Sequence, residues 1–363
     1  MISAVNLFNQ EFRITTVIRN INCREMIKFF IVISLLLLSS CGDAGTDNLI
    51  SITGSTMGTT YSVKIVAGGN SPDINPDALK KKIDSVLVEV NNQMSTYIPE
   101  SEISRFNQYT GSEWFNISND FAFVLDESIR LGKLTGGSLD ITVGPLVNIW
   151  GFGPDQRPRK IPTDEEISSS MKLIGLDKVE VNLNTPSVRK NINGLKVDLS
   201  ATAKGFGVDK VVELLKDLGY TNIMVEIGGE VRVSGLNNKN EAWKIGISTP
   251  NQSGELNRVV PLNEMAMATS GDYWNYFEEN GIRYSHTIDP VTGRPITHKL
   301  ASVTVFDATC LRADGLATGI FVMGPERGYK FAVDMELPVY MIVKKGNGFE
   351  EIKSPGFIEL FEK

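Results

Sequence analysis

The chain has 363 residues and carries 36 Lys and Arg against 43 Asp and Glu, a formal net charge of -7 at pH 7. That length supports a full hydrophobic core in one large domain or two modest ones, and 42% apolar residues is ordinary for a globular protein. A mildly acidic surface has the wrong sign for following phosphate backbones, so nucleic acid is excluded as an expected partner.

The first segment departs from the globular pattern. "MIKFFIVISLLLLSSCG" (26–42) starts with a methionine and a lysine, runs through an apolar stretch and closes on small residues and Cys41. The run falls short of the roughly 20 residues of a spanning helix but fits an export signal. Its end, Leu38-Ser39-Ser40-Cys41, resembles a bacterial lipobox, in which the cysteine is lipidated and becomes the new N-terminus. Residues 26–41 are therefore expected to be a lipoprotein signal peptide, residues 1–25 an upstream extension, and the small polar stretch 42–48 a flexible tether. A buried helix is the bland alternative, and it lacks an amphipathic period and caps. Cys23 precedes the signal, Cys41 would carry lipid and Cys310 is left alone, so the mature domain forms no internal disulfide.

From Leu49 onward the chain reads as one continuous domain. The alternating stretches 60–66, 222–227, 243–248 and 302–306 predict strands. Helical spacing of Leu79, Ile83, Val86, Leu87 and Val90 predicts a helix over 76–94. Ser118 as N-cap and Gly136-Gly137 as stop bound a second over 118–137, and a Thr163 and Glu166 capping box opens a third over 163–175. A fourth spans 204–219 with Val208, Val211, Val212, Leu215 and Leu218 on one face. A fifth, over 310–324, is apolar on most sides and reads as a core helix. Strands often follow one another without an intervening helix, so the expected fold class is α+β, with mainly antiparallel sheets and packed helices.

Four stretches could carry chemistry. "GGSLDITVGPLVNIWGFGP" (136–154) mixes glycines with Trp150 and Phe152, giving backbone that can approach a ligand closely, or simply a turn region over a core aromatic. In "KVDLSATAKGFGVDKV" (196–211), Asp198 precedes a small-residue turn, and Lys204 stands where a helix begins, an anion site by its N–H groups and dipole. The Walker spacing is absent, and Asp198 could equally cap the turn. Asp314 and Thr318 lie four apart on one helix face, where a hard cation with oxygen ligands would satisfy both if buried; a hydrogen-bonded helix residue is the alternative for Asp314. One cysteine and two histidines are too few for the usual zinc set. Finally, "SHTIDPVTGRPI" (285–296) holds His286, one of only two histidines, in a broken extended segment. Histidine moves protons near neutral pH, although a lone histidine is more often a plain surface or core residue. His298, in a polar run, reads as a bystander.

Together these segments resemble the ApbE-type flavin transferases, exported bacterial FAD:protein FMN transferases. The likeness spans nearly the whole mature chain in order: "GSTMGTTYSVKI" (54–65), "MSTYIPESEISRFN" (94–107), the two glycine-rich stretches just quoted, "IGGEVRVSG" (227–235), "SHTIDPVTGRPI" and "ADGLATGIFVMG" (313–324). The resemblance implies a single ApbE-like, T-fold-like catalytic domain over 49–363. It implies that Met57, Tyr97, Ser138, Leu139, Asp140 and Ile288 line an FAD site and that Asp198 and Lys204 hold polar parts of FAD. It also implies Mg²⁺ bound by the Ala201 carbonyl, the Asp314 carboxylate and the Thr318 hydroxyl. The family often has an acidic residue just before that threonine, where this chain has Ala317, which leaves the number of metal ions open.

In the implied reaction an acceptor threonine or serine hydroxyl attacks the FMN phosphorus of FAD, and AMP leaves. A neutral hydroxyl is a poor nucleophile, and His286 is the histidine inside a matching motif, so it is the expected base. Expected partners are FAD, exported acceptor flavoproteins such as membrane redox-pump subunits, and a membrane facing the periplasm through the lipid anchor. Two further readings use the same residues: a Mg²⁺-dependent FAD pyrophosphatase, with water as nucleophile, and a non-catalytic FAD-binding lipoprotein. A flavin-bearing carrier is disfavoured, because no stretch resembles the Asp-x-x-(Ser/Thr)-Gly-Ala-Thr sequence of the family's targets.

Overall fold

The alternation in "TYSVKIV" buries Tyr61, Val63 and Ile65 and turns Thr60, Ser62 and Lys64 to the other side. It lies in a strand, β2 (Thr59–Ala67), which pairs antiparallel with β1 (Asn48–Thr56). Met57 and Gly58 close the hairpin, both at positive φ (49° and 72°), the backbone hand that matches strand twist in a two-residue turn. The computed structural model describes residues 48–363 except 69–71, 73–74, 156–157, 251–254 and 272–275. The expected extension, the signal peptide with Cys41 and tether residues 42–47 lie outside the described residues, while Asn48 already belongs to β1. Among the described residues no helix is long and apolar enough to cross a membrane.

β3 (Ile223–Ile227) and β4 (Glu230–Ser234) form a second tight hairpin over Gly228 and Gly229. With β1, β2, β5 (Met265–Gly271), β6 (Leu300–Asp307), β7 (Val339–Lys345) and β8 (Gly348–Lys353) they make one eight-stranded sheet. Every neighbouring pair is antiparallel, and the order in space is the order in the chain. The α+β class with antiparallel strands expected from the sequence is therefore what is found.

Among the described residues six α-helices fall between β2 and β3: α1 (Pro76–Met94), α2 (Glu102–Gln108), α3 (Asn119–Leu134), α4 (Gly144–Ile149), α5 (Asp164–Met171) and α6 (Ala203–Asp217). A seventh, α7 (Cys310–Asp334), joins β6 to β7, and α8 (Pro355–Phe361) follows β8. The Ser118 cap and the Thr163–Glu166 capping box form as their sequences predict. Two features differ from expectation. α7 runs on past Gly324, which breaks the helical geometry (φ 78°), because Pro325 is well suited to open the next helical stretch. The helices α2, α4 and α8, six or seven residues each, are too short to display a helical period in sequence.

β4 alternates charged and apolar residues, and the sheet sorts them. Val231 and Val233 face a core with Trp243, Tyr340 and Phe357, beneath the hairpin of Trp243–Ser248 and Leu256–Leu262 and beside α8. Glu230 and Arg232 consequently face the other side, where α6 and α7 pack. There Asp209 of α6 accepts hydrogen bonds from Arg232 Nη1 at 2.7 Å and from the backbone N–H groups of Cys310 and Leu311, both at 2.9 Å. It supplies the cap that the Thr309 side chain does not give α7. Burial raises the Asp209 pKa, with Arg232 and the two N–H groups pulling the other way. Asp209→Ala should lower the unfolding free energy by about 3–5 kcal/mol, since it strands a largely buried arginine and two helix N–H groups. Urea denaturation measures this; a loss below about 1 kcal/mol would mean that neither the pair nor the cap matters.

Candidate active site

The segment entering α6 is clamped before the helix begins. Lys196 bridges Val143 in parallel, Asp198 N–H donates to the Ile141 carbonyl at 2.7 Å, and the Asn107 side chain brackets Val197 with bonds of 2.7 and 2.8 Å. Asp198 then folds back, its Oδ1 accepting from Ser200 N–H at 2.8 Å and from the Ser200 hydroxyl. This is the turn-capping geometry of a short acidic side chain. Half-buried Ala201 and buried Thr202 follow, and Lys204 lies in the first turn of α6.

Lys204 stands between two buried carboxylates. Its Nζ is 3.2 Å from Glu230 Oε1 and 3.6 Å from Asp314 Oδ1, and both acids are 3% exposed. Asp314 Oδ2 accepts from the Gly205 N–H at 3.0 Å. Only glycine permits that approach, because a Cβ on residue 205 would sit 2.3 Å from the Cys310 carbonyl oxygen. Burial works against the Lys204 charge, yet Asp314 and Glu230 more than offset it and its pKa is raised. Burial likewise raises Asp314, with Lys204 and the Gly205 N–H opposing, and pushes Glu230 up to about 8 against the pull of Lys204. Glu230 Oε2 makes no hydrogen bond among the described residues.

One turn along α7, the Thr318 hydroxyl meets the Ser270 hydroxyl of β5 at 3.2 Å. Ala317, which precedes the threonine, is fully buried in the apolar core and brings no side-chain oxygen to this place. The Asp314 carboxylate and, one turn on, the Thr318 hydroxyl are oxygen donors, which suit a hard cation. Among the described residues no trio of His, Cys, Asp and Glu gathers to hold a metal. Mg²⁺ fits such a place, because it uses one or two carboxylates and completes its shell with water and phosphate oxygens.

A second group surrounds His286. Trp150, Phe152, Phe277 and Tyr284 pack ring against ring, and the His286 ring meets the Phe152 ring edge-on at 6.4 Å between centroids. Trp150 Nε1 donates to the Gly293 carbonyl at 2.9 Å and ties the 286–296 turn to α4. Asp289 shapes that turn by accepting from Val291 N–H at 2.9 Å, and Ile288 is buried in the same cluster. Tyr97, 67% exposed, donates its hydroxyl to the Phe152 carbonyl at 3.3 Å. Burial of part of that ring and the nearby Asp198 charge raise its pKa, with Arg159 opposing. Arg159 itself lies over the Phe152 ring, 5.2 Å from the centroid. His298 sits apart from this group, edge-on to Phe321 of α7.

The other candidate residues lie after α3 and in the β1–β2 turn. Ser138 and Leu139 are buried after α3, Leu139 beside Gly315 and Gly319 of α7. Asp140 accepts from Thr142 N–H at 2.7 Å and Thr142 Oγ1 at 2.6 Å, and burial raises its pKa against those bonds. Met57, thrown inward by its left-handed backbone, reaches α6, where a Cβ on Gly207 would lie 2.8 Å from its Cε. The sequence assigned nothing to Glu230 or Arg159, and offered Phe152 only as an aromatic beside the glycine-rich stretch. The available signal for Glu230 was weak, since a charge alternating with valines reads as a solvent face.

Comparison with known proteins follows the same outline. The sequence profile of the ApbE family matches residues 57–341. A FAD:protein FMN transferase of Vibrio cholerae serotype O1 is 48% identical over 331 residues, covering 91% of this chain and 97% of that protein. The solved flavin transferase ApbE from Vibrio cholerae superposes with a TM-score of 0.79 at 46% identity, covering 86% of this chain and 99% of that one. The apo form of the Pseudomonas stutzeri flavinyl transferase ApbE gives a TM-score of 0.81 at 36% identity, over 87% of this chain and 98% of that one.

Proposed function

The chain belongs to the ApbE family, and on that premise we propose that it transfers the FMN part of FAD to a threonine or serine hydroxyl of an acceptor protein, releasing AMP. The observation that carries this reading is the short stretch from Asp198 to Lys204. Asp198 acts electrostatically on Tyr97, which is tied through Phe152 to His286, while Lys204 reaches Asp314 from the other end. These links support the reading of one site with a proton acceptor and a charge-bearing cluster.

The residues divide the work. Tyr97 offers the flavin an exposed flat face whose hydroxyl is anchored, and Met57, Ser138, Leu139, Asp140 and Ile288 shape the surrounding walls. Asp198 and Lys204 bind polar parts of FAD. When bound, Mg²⁺, held by Asp314, Thr318 and the Ala201 carbonyl, neutralises the pyrophosphate charge. His286 takes the proton from the acceptor hydroxyl, whose oxygen forms the new bond to the FMN phosphorus. The bond from that phosphorus to the bridging oxygen breaks, and AMP carries the electron pair away.

The place of action is part of the proposal: Cys41 would carry lipid, holding the domain at a bacterial membrane on the periplasmic side, where exported flavoproteins are the acceptors. The test is to incubate the chain lacking its first 46 residues with FAD, Mg²⁺ and a protein bearing the acceptor sequence, and to weigh the acceptor by mass spectrometry. An FMN phosphoryl adduct that chelator prevents is the expected result. Release of free FMN and AMP without an adduct would replace the transferase by a pyrophosphatase, and intact bound FAD would leave a binding protein.

A further inference from the structure

Two buried carboxylates share a single ammonium between β4, α6 and α7, and their contacts differ. Asp314 has one oxygen bonded to the Gly205 N–H, and its other oxygen lies 3.6 Å from Lys204, beyond hydrogen-bond length. Glu230 holds the same ammonium more closely, at 3.2 Å, although it comes from a different element and its second oxygen makes no hydrogen bond among the described residues. A buried carboxylate in that condition costs folding free energy and is tolerated where its charge is used. The β-strand register forces Glu230 inward beside Lys204, and the ammonium lies nearer to Glu230 (3.2 Å) than to Asp314 (3.6 Å).

We infer that Glu230 is a positioning residue that holds the Lys204 ammonium off Asp314 and so keeps Asp314 Oδ1 open to a divalent cation. The inference rests on the reading of Asp314 as a magnesium ligand and adds to it the group that keeps the ligand free. It makes a charge count that can be tested. The two acids and the lysine leave one net negative charge to attract the cation. Glu230→Gln cancels that charge and releases Lys204 to pair with Asp314. Lys204→Met doubles the charge, and the double variant restores the original count while removing the competing ammonium.

Magnesium chloride alone is titrated into the chain and each variant by calorimetry at one fixed pH. Glu230→Gln should bind Mg²⁺ roughly tenfold more weakly or worse, Lys204→Met at least as tightly as the parent, and the double variant within about threefold of the parent. A purely structural role would leave the double variant no better than Glu230→Gln, and that result overturns the inference, as does unchanged binding in Glu230→Gln when the parent binds well. A parent chain that takes no Mg²⁺ overturns this inference together with the magnesium reading of Asp314. Should Glu230→Gln not fold, Lys204→Met alone decides: tighter or equal binding supports the competition between ammonium and cation, and weaker binding overturns it.

Discussion

Replacing His286 with alanine lowers FMN transfer by about 10²- to 10⁴-fold and leaves FAD binding within a few-fold of the parent chain. The magnitude is that of removing a general base from a reaction whose nucleophile is a neutral hydroxyl. The split between rate and binding follows from position. The imidazole stands at the edge of an aromatic cluster built by Trp150, Phe152, Phe277 and Tyr284, all of which remain when His286 is truncated. Tyr97 keeps its hydroxyl bond to Phe152 as well, so the face proposed for the flavin survives. The check is FAD affinity by fluorescence titration beside single-turnover transfer measured by mass. A variant that transfers at the parent rate removes His286 from the mechanism, and one that loses FAD makes it a binding residue. A bell-shaped or rising pH profile in the parent, flattened in the variant, is the accompanying signature of a lost base.

Asp314→Asn has an effect of similar size for a different reason. The amide is nearly isosteric, and its oxygen can still accept from the Gly205 N–H, so the junction of α6 and α7 is kept. What is lost is the negative charge that would hold a divalent cation against the pyrophosphate. A metal acting as a Lewis acid contributes several kcal/mol to such a step, which corresponds to about 10³-fold or more in rate. Transfer should therefore fall by at least about 10³-fold and no longer respond to added Mg²⁺. Stability should hold or rise slightly, since the substitution removes a charge whose burial is unfavourable, as its raised pKa indicates. The two readouts together are decisive: magnesium-dependent transfer at the parent rate rejects Asp314 as a ligand, and a collapse of the unfolding midpoint would make its role structural.

How far the sequence reaches differs from element to element. The capping box at Thr163 and Glu166, the Ser118 cap and the long apolar stripe of α1 are local signals, complete within four to nineteen residues, and the folded chain uses them as written. The i, i+4 relation of Asp314 and Thr318 is local too, and needs only that α7 be helical. The three short helices carry no such period, and the break at Gly324 that continues as a helix depends on the proline after it.

Glu230 shows where local reading stops. In sequence it follows two glycines and precedes alternating valines, a pattern compatible with either face of a strand. Only the register of β4 in the sheet, with Val231 and Val233 committed to the core beneath α8, turns Glu230 and Arg232 toward the helices. The same holds for Asp209, which caps a helix 101 residues away, and for Phe152, which joins Tyr97 to His286 across three separate segments. Composition, periodicity and ordered motifs determined the fold class, the elements and the residue types of the site, because each is set by neighbours along the chain. The tertiary structure decided which buried charges face one another, because strand register and helix packing bring together groups that no local pattern relates.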